Sequence, residues 1–451
     1  MRKPLLLTNN HSIIVKEYNS IEIILLVILI LSMWLPLGAS MTLFSIVLVY
    51  FFINNQSINK RLVFEVIPLV LIMAVGILSG ISNVLNGDLY LYYKDIFYFL
   101  NPVVLILIGY YVADSSNNIN RVFRVVLIFC VVSSLYFNVE YIFSSMISFG
   151  LNIEDRYAYQ VQSQYPLLGF LIIYASKISK YNIFSNRVNN ILFAIFLLLI
   201  FTSFSRTNIL IALIIFSLPI LYKYIGIKVQ IYMVLSVIIS TIFFSTIFTL
   251  EAPEKFSDGF VDKVLNSYEE IIVENKMLVI ESELELANIN NYWRAHEAYL
   301  GLSKAHEGGT VSAIFGSGMG AYVDGSDLFV SKMKVIPFFH NGYVTVYLKS
   351  GVIGLMLLMF FIFSLSGMGG KLVFNNKSEY KFIFFISAGL SIIFIIQTWF
   401  VMGIYSSLPF YVFLILIGVI MKCKLYGFGV MRFESNIASE SSSVSEYSRG
   451  H

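Results

Sequence analysis

The sequence predicts an all-α polytopic membrane protein with about twelve transmembrane helices and one large, partly helical outer loop between spans 9 and 10. Three observations predict it. Only 13% of the 451 residues are charged and 58% are hydrophobic, whereas a soluble domain carries about 25% charged residues. Apolar runs recur along the chain at lengths near the roughly 20 residues that a spanning helix needs. Lys and Arg crowd into alternate connections, the asymmetry to which membrane topology responds. This composition excludes a typical cytosolic enzyme and a disordered chain, and it lacks the basic patch of a nucleic-acid binder. Cys130 and Cys423 sit in or beside apolar runs without CxxC spacing, so neither a disulfide framework nor a zinc site is expected.

Taken in order, the spans fall near residues 20–36, 38–54, 62–82, 95–113, 122–148, 165–179, 189–204, 206–222, 229–250, 341–365, 381–403 and 405–421. The first run has no small-residue cleavage site and reads as a retained signal-anchor helix. With the N-terminus inside, the cytoplasmic segments hold 19 Lys and Arg residues; the short outer loops hold only Lys94, Arg156 and Arg206. An N-in, C-in chain follows. The organisation is a membrane region of about nine spans over 1–250, an outer loop over 251–340 and about three further spans over 341–422. Residues 433–451, rich in serine, read as a disordered cytoplasmic tail.

The outer loop carries 14 acidic and 7 basic residues. Long translocated loops are largely exempt from the charge rule, and loops of this length usually carry structure or function. Phe256, Phe260, Val264, Tyr268 and Ile271 recur at helical spacing. A second helical stretch is expected from Asn291 to His306, stopped by Gly308-Gly309, before the glycine-rich turn Phe315-Gly316-Ser317-Gly318-Met319-Gly320.

Ionisable residues inside spans are costly and are default functional candidates. Glu65 follows Arg61 by four residues, and a local ion pair accounts for it. Glu140 has no evident sequence partner. Lys349 lies about 12 Å along the helix from Asn341 at 1.5 Å per residue; its stem either snorkels or brings the ammonium to an anionic headgroup. Arg206, after Ser203-Phe204-Ser205, occupies a tight outer connection where Gly, Pro, Asn or Asp would be ordinary. A guanidinium holding an anionic group explains it better.

Three further features share that side. Arg294 and Glu297, in Trp293-Arg294-Ala295-His296-Glu297, are spaced as a surface i,i+3 pair, or Arg294 supplies a second guanidinium able to grip phosphate oxygens bidentately. His306 ends the helix, where a cation is favourable anyway. Gly316, Gly318 and Gly320 permit close backbone approach but lack the Lys-Ser/Thr of an ATP-binding loop. His340 sits where the chain re-enters the membrane, and an imidazole there can take a proton from a hydroxyl.

His340-Asn341, nine residues and Gly351-Val352-Ile353-Gly354 resemble the HN-x9-GxxG signature of the bacterial O-antigen polymerase and O-antigen ligase superfamily. Ser205-Arg206-Thr207, Trp293-Arg294 and the glycine turn follow the order of that superfamily, and Arg156 before Gln164-Tyr165-Pro166 is similar to another of its arginines. The motif likeness covers residues 150–360 and the topology the whole chain.

The resemblance implies a place in the bacterial inner (cytoplasmic) membrane, a fold like the C-type lipid-sugar glycosyltransferases and transfer of a glycan from undecaprenyl diphosphate at the periplasmic face. It implies Arg206 and Arg294 as cations on the diphosphate and His340 as base or orienting group. Arg156, Lys349, Asn341 and the three turn glycines then contact substrate. A single base-assisted displacement inverts the anomeric centre. No DxD pair or His-Glu cluster is evident in the outer loops, so no cofactor or obligatory metal is expected, and Glu269 and Glu270 read as a solvated face. Partners are the lipid-linked donor, a glycan acceptor, membrane lipids and, as a candidate, a chain-length regulator; nucleic acid is not among them. Richness in Ile, Phe, Tyr and Asn, as from an AT-rich antigen cluster, favours a polymerase over a ligase that joins the glycan to lipid A-core. A transporter or flippase is the third reading, disfavoured because only 9 prolines occur and no repeat is visible.

Overall fold

The computed structural model describes residues 28, 35, 37–55, 60–85, 89–115, 119–147, 164–202, 205–225, 297–298, 300–324, 335–373, 377–405 and 410–430. Helix dominates them. In chain order the elements are α1 (Leu37–Asn55), α2 (Lys60–Ser79), the short α3 (Ile81–Leu85), α4 (Leu89–Ser115), α5 (Ile119–Ile147), α6 (Gln164–Ser179), α7 (Asn186–Thr202) and α8 (Arg206–Ile225). Further along the chain come α9 (Gly309–Phe315), strands β1 (Val323–Asp324) and β2 (Val335–Ile336), α10 (Gly342–Val373), α11 (Ser378–Phe400), a 3-10 turn at Gly403–Tyr405 and α12 (Tyr411–Val430).

Ten of the twelve expected spans coincide with helices; those at 20–36 and 229–250 lie outside the described residues apart from Ile28 and Leu35. Among the described residues five helices are long and apolar enough to cross a membrane, at Leu62–Ser79, Leu89–Ala113, Ile119–Phe137, Gly342–Ser366 and Ser378–Phe400. That marks the chain as a membrane protein. Large side chains such as Phe64, Leu71, Phe97, Val132 and Phe360 point outward from these helices, as a lipid-facing surface requires.

Backbone polar groups in lipid must be satisfied within the segment, which selects helix. Without a hydrophobic drive between helices, close packing holds them together. Along the extensive α4–α12 seam, Gly109 rests on the Ile415 carbonyl and Gly418 on that of Ile106. Added Cβ atoms would overlap the facing backbone. α10 packs along α11 and α2, and α6 along α7 and α11.

Two sets of helix ends result. One gathers the start of α2 and the end of α12, joined by Lys424 Nζ donating to Glu65 Oε1 at 2.5 Å. The side chain of Arg61, the expected partner of Glu65, lies outside the described residues; the carboxylate ties two helices remote in sequence. The opposite set gathers the end of α2 and the starts of α4, α6, α8 and α10 with the end of α11, as the contacts described below show.

Three further expectations change. α4 begins six residues before the expected span, so Asp95 is a helix-interior residue. Gly308 does turn the chain, but α9 begins immediately after it. The segment over 251–340 also contains a two-residue antiparallel pair, Val323 opposite Ile336 and Asp324 opposite Val335. The amphipathic stretch from Phe256 to Ile271 and the tail from 433 lie outside the described residues.

Candidate functional site

The glycine turn after α9 is wedged among α2, α4 and α10. Met319 donates its amide to Gly76 O at 2.8 Å, and Ser317 donates to Leu348 O at 2.7 Å. Asn83 Nδ2 donates to the carbonyls of Ser317 and Met319, both at 2.9 Å. Gly316, Gly318 and Gly320 have φ of 83°, 86° and 85°, conformations that only glycine adopts readily. Gly316 abuts the backbone at Lys349–Gly351 and Gly318 abuts Gly80. The close approach expected of these glycines is therefore made to the protein's own backbone.

α10 accommodates the turn by breaking its helix at Gly351, with φ 64° and ψ −162°. There the carbonyl of Ile314 comes so near that a Cβ would overlap it. The first glycine of GxxG thus has a physical cause: positive φ together with backbone-to-backbone contact.

Beneath the turn lies a buried ion pair. Lys349 Nζ donates to Asp95 Oδ2 at 2.5 Å and to the Ala321 carbonyl, and both ionised side chains are wholly buried. Gly320 donates its amide to the same Asp95 oxygen at 2.7 Å. Phe338 lies beside the pair, its ring 5.6 Å from Lys349 Nζ and tilted at 43° against Tyr98 with ring centroids 4.3 Å apart. Lys349 neither snorkels nor reaches a headgroup. Its ammonium neutralises Asp95 and pins the turn to α4, which corrects the expectation of a lipid- or substrate-facing cation.

His340 stands at the mouth of α10. Its side chain is 45% exposed, whereas that of Glu297 is 6% exposed. Glu297 Oε2 accepts from the His340 amide at 3.2 Å and lies 3.0 Å from Nδ1. Glu297 is therefore not the solvated partner of a surface pair; it is buried against the imidazole. Asn341 caps α10, its Oδ1 accepting from the amides of Tyr343 at 3.0 Å and Val344 at 3.2 Å. Thr345 Oγ1 accepts the Phe339 amide at 3.0 Å, fixing the entry of the chain into the helix. His306 Nε2 meets Tyr347 OH at 3.3 Å while its Nδ1 meets Leu302 O, a structural placing at a helix end.

A third polar group links the start of α8 to this region. Gln397 Nε2 on α11 donates to Asn208 Oδ1 at 2.8 Å and to Gln164 Oε1 at 3.0 Å. All three carboxamides are buried. Asn208 is two residues beyond Arg206, and one turn beyond Gln397 the chain packs on Gly342, through Thr398 and Met402. Tyr343 OH also donates to Ile395 O at 3.0 Å.

The helix start that bears Arg206, the glycine turn and His340 therefore lie on one end of the bundle. Arg156 and Arg294 lie outside the described residues, and of Arg206 only the backbone is described.

Sequence reasoning missed Asp95 and the pairing of Glu297. A charge-balance argument could have found the first, because a lysine deep in one span calls for an acid in another. No local spacing signals the second, whose partners are 43 positions apart. Among the described residues no three His, Cys, Asp or Glu side chains gather as a metal would need. No family model and no curated protein matches the chain.

Proposed function

We propose that the chain is an O-antigen polymerase, transferring a growing glycan from undecaprenyl diphosphate to a lipid-linked repeat unit at the periplasmic face. The observation that carries the reading is the gathering of the Ser205-Arg206 helix start, the glycine turn and His340 at one end of a helical bundle, motifs far apart in sequence. In the reaction the acceptor hydroxyl oxygen bonds to the donor's anomeric carbon while the carbon–oxygen bond to the diphosphate breaks. The diphosphate leaves with the bonding electrons, and the hydroxyl proton passes to His340. Positive charge placed beforehand at the leaving group stabilises such a transition state best, a role for Arg206 and Arg294, with Arg156 as a further cation. Lys349 is left out of the donor contacts because Asp95 holds its ammonium.

The reading is tested with purified protein in liposomes and lipid-linked repeat units of defined structure. Chain lengthening supports the polymerase. Joining to added lipid A-core without lengthening makes the chain a ligase, and passage across the bilayer without bond formation makes it a flippase. Either outcome overturns the polymerase.

A further inference from the structure

The pairing of Glu297 with His340 reaches beyond a general statement that an imidazole acts as base. Imidazole has two nitrogens, and in the neutral ring one carries the proton while the other offers a lone pair. The nitrogen that binds a carboxylate decides which. Glu297 Oε2 already accepts the His340 amide at 3.2 Å, and a backbone amide can only donate. The same oxygen lies 3.0 Å from Nδ1. An ionised carboxylate has acceptors only, so Nδ1 carries the proton there.

The burial of the two partners fits this division of labour. Glu297 is 6% exposed, while the ring it holds is 45% exposed. The carboxylate is shut in behind the imidazole, and the imidazole faces outward. The backbone bond fixes the oxygen relative to the main chain at residue 340, and the N-cap at Asn341 fixes that main chain relative to α10. The ring is thereby held at both Cα and Nδ1.

We infer that Glu297 is a positioning residue that holds His340 in the Nδ1–H tautomer, making Nε2 the atom that takes the acceptor's proton. The tautomer rests on the geometry alone; the proton transfer rests also on the glycosyl-transfer reading. In the step, the hydroxyl O–H bond breaks as the glycosidic C–O bond forms. The proton goes to Nε2, and Glu297 stabilises the resulting imidazolium through the Nδ1–H bond without taking the proton. A carboxylate-to-carboxamide exchange behind a catalytic histidine costs a serine protease about 10⁴-fold in turnover because the wrong tautomer results.

Nitrogen-15 spectra of the full chain labelled at histidine, in nanodiscs without substrate and at alkaline pH, read the tautomer directly. Five histidines occur in the chain, and the His340→Gln protein identifies the signals of His340 by their loss. The wild type is expected to show a protonated Nδ1 and an unprotonated Nε2 at His340. Glu297→Leu, which removes the acceptor at Nδ1, should release the ring to the Nε2–H form and lower turnover about 100-fold or more with KM little changed, at equal amounts of folded protein. Glu297→Gln, whose carbonyl oxygen can still accept from both the amide and Nδ1–H, and Glu297→Asp should retain more of the Nδ1–H form and more turnover than Glu297→Leu. A wild-type spectrum with the proton on Nε2, or one that Glu297→Leu leaves unchanged, overturns the positioning role. A switched tautomer with undiminished turnover overturns Nε2 as the base. If the wild type forms no glycosidic bond while Glu297→Leu still switches the ring, the positioning stands and the glycosyl-transfer reading fails.

Discussion

At the scale of single residues, charge location decides what each group does. His340→Ala and Arg206→Ala should abolish product while the protein inserts and folds, measured as glycan length in cells and monodispersity in detergent. Arg206→Lys should restore little, because a lysine cannot supply the planar two-point grip of a guanidinium on a diphosphate. Near-normal glycan length in either alanine strain would remove that residue from the chemistry. Asp95 and Lys349 predict a different phenotype. Removing one partner of a buried pair leaves an uncompensated charge and costs about 3–5 kcal/mol, so Lys349→Met should lower thermal stability sharply. Asp95→Leu combined with Lys349→Met should recover most of it. Additive losses in the double variant would show that the pair is not what couples the two positions. The pair was only half legible: Lys349 stood out as an ion inside an apolar run, but its acid is 254 positions away. Asp95 was masked by placing the start of its span on it. The tyrosine-rich stretch Leu89-Tyr90-Leu91-Tyr92-Tyr93 starts the helix earlier and makes that position helix-interior, and Lys349 and the Gly320 amide enclose its carboxylate.

Helices and turns account for the recurring glycines and for Asn341. The break at Gly351 lets the backbone at Gly316 lie against α10, and the turn then hangs on Gly76, Leu348 and Asn83. Gly351→Ala adds both positive-φ strain, of order 1–3 kcal/mol, and an overlap with the Ile314 carbonyl. It should reduce the folded fraction surviving mild heating in detergent, as should Gly316→Ala. Equal survival of wild type and both variants would mean that the turn docks without these contacts. Asn341→Ala should cost about 1 kcal/mol through loss of the helix cap, and Asn341→Asp or Asn341→Ser should cost less. A thermal series would separate capping from a substrate role, since a cap tolerates Ser and Asp. Glycine spacing was visible in the sequence, and so was its permission for close approach. What approaches was not, because the partner backbone belongs to helices at positions 76–80 and 348–351. Periodicity reports which face is apolar and is silent on which helix covers it.

Across the whole molecule, ten of the twelve expected spans coincide with described helices and the other two lie outside the described residues; of the buried ion pair within the spans, Lys349 stood out and Asp95 did not. Side-chain pairing between remote segments was the illegible part: Glu65 with Lys424, Asp95 with Lys349 and Glu297 with His340 each join separate regions. Such pairs follow from helix order in space, which a single sequence does not encode locally. The molecule separates its polar groups by end. Lys424 and Glu65 close one, while the buried amides, the glycine turn and His340 occupy the other. Sidedness gives a further expectation: a cysteine placed at Ser205 should react with a membrane-impermeant thiol reagent from outside intact cells, and one beside Lys424 should not. Reaction from the reverse side would turn the polar end toward the cytoplasm and remove the periplasmic site. The most direct measurement is elongation of lipid-linked repeat units by purified wild-type and His340→Ala protein in liposomes, at equal amounts of folded protein. The account predicts long glycans on the carrier lipid with the wild type and none above background with the variant. Equal elongation by both, or none by the wild type on any lipid-linked repeat unit, would contradict it.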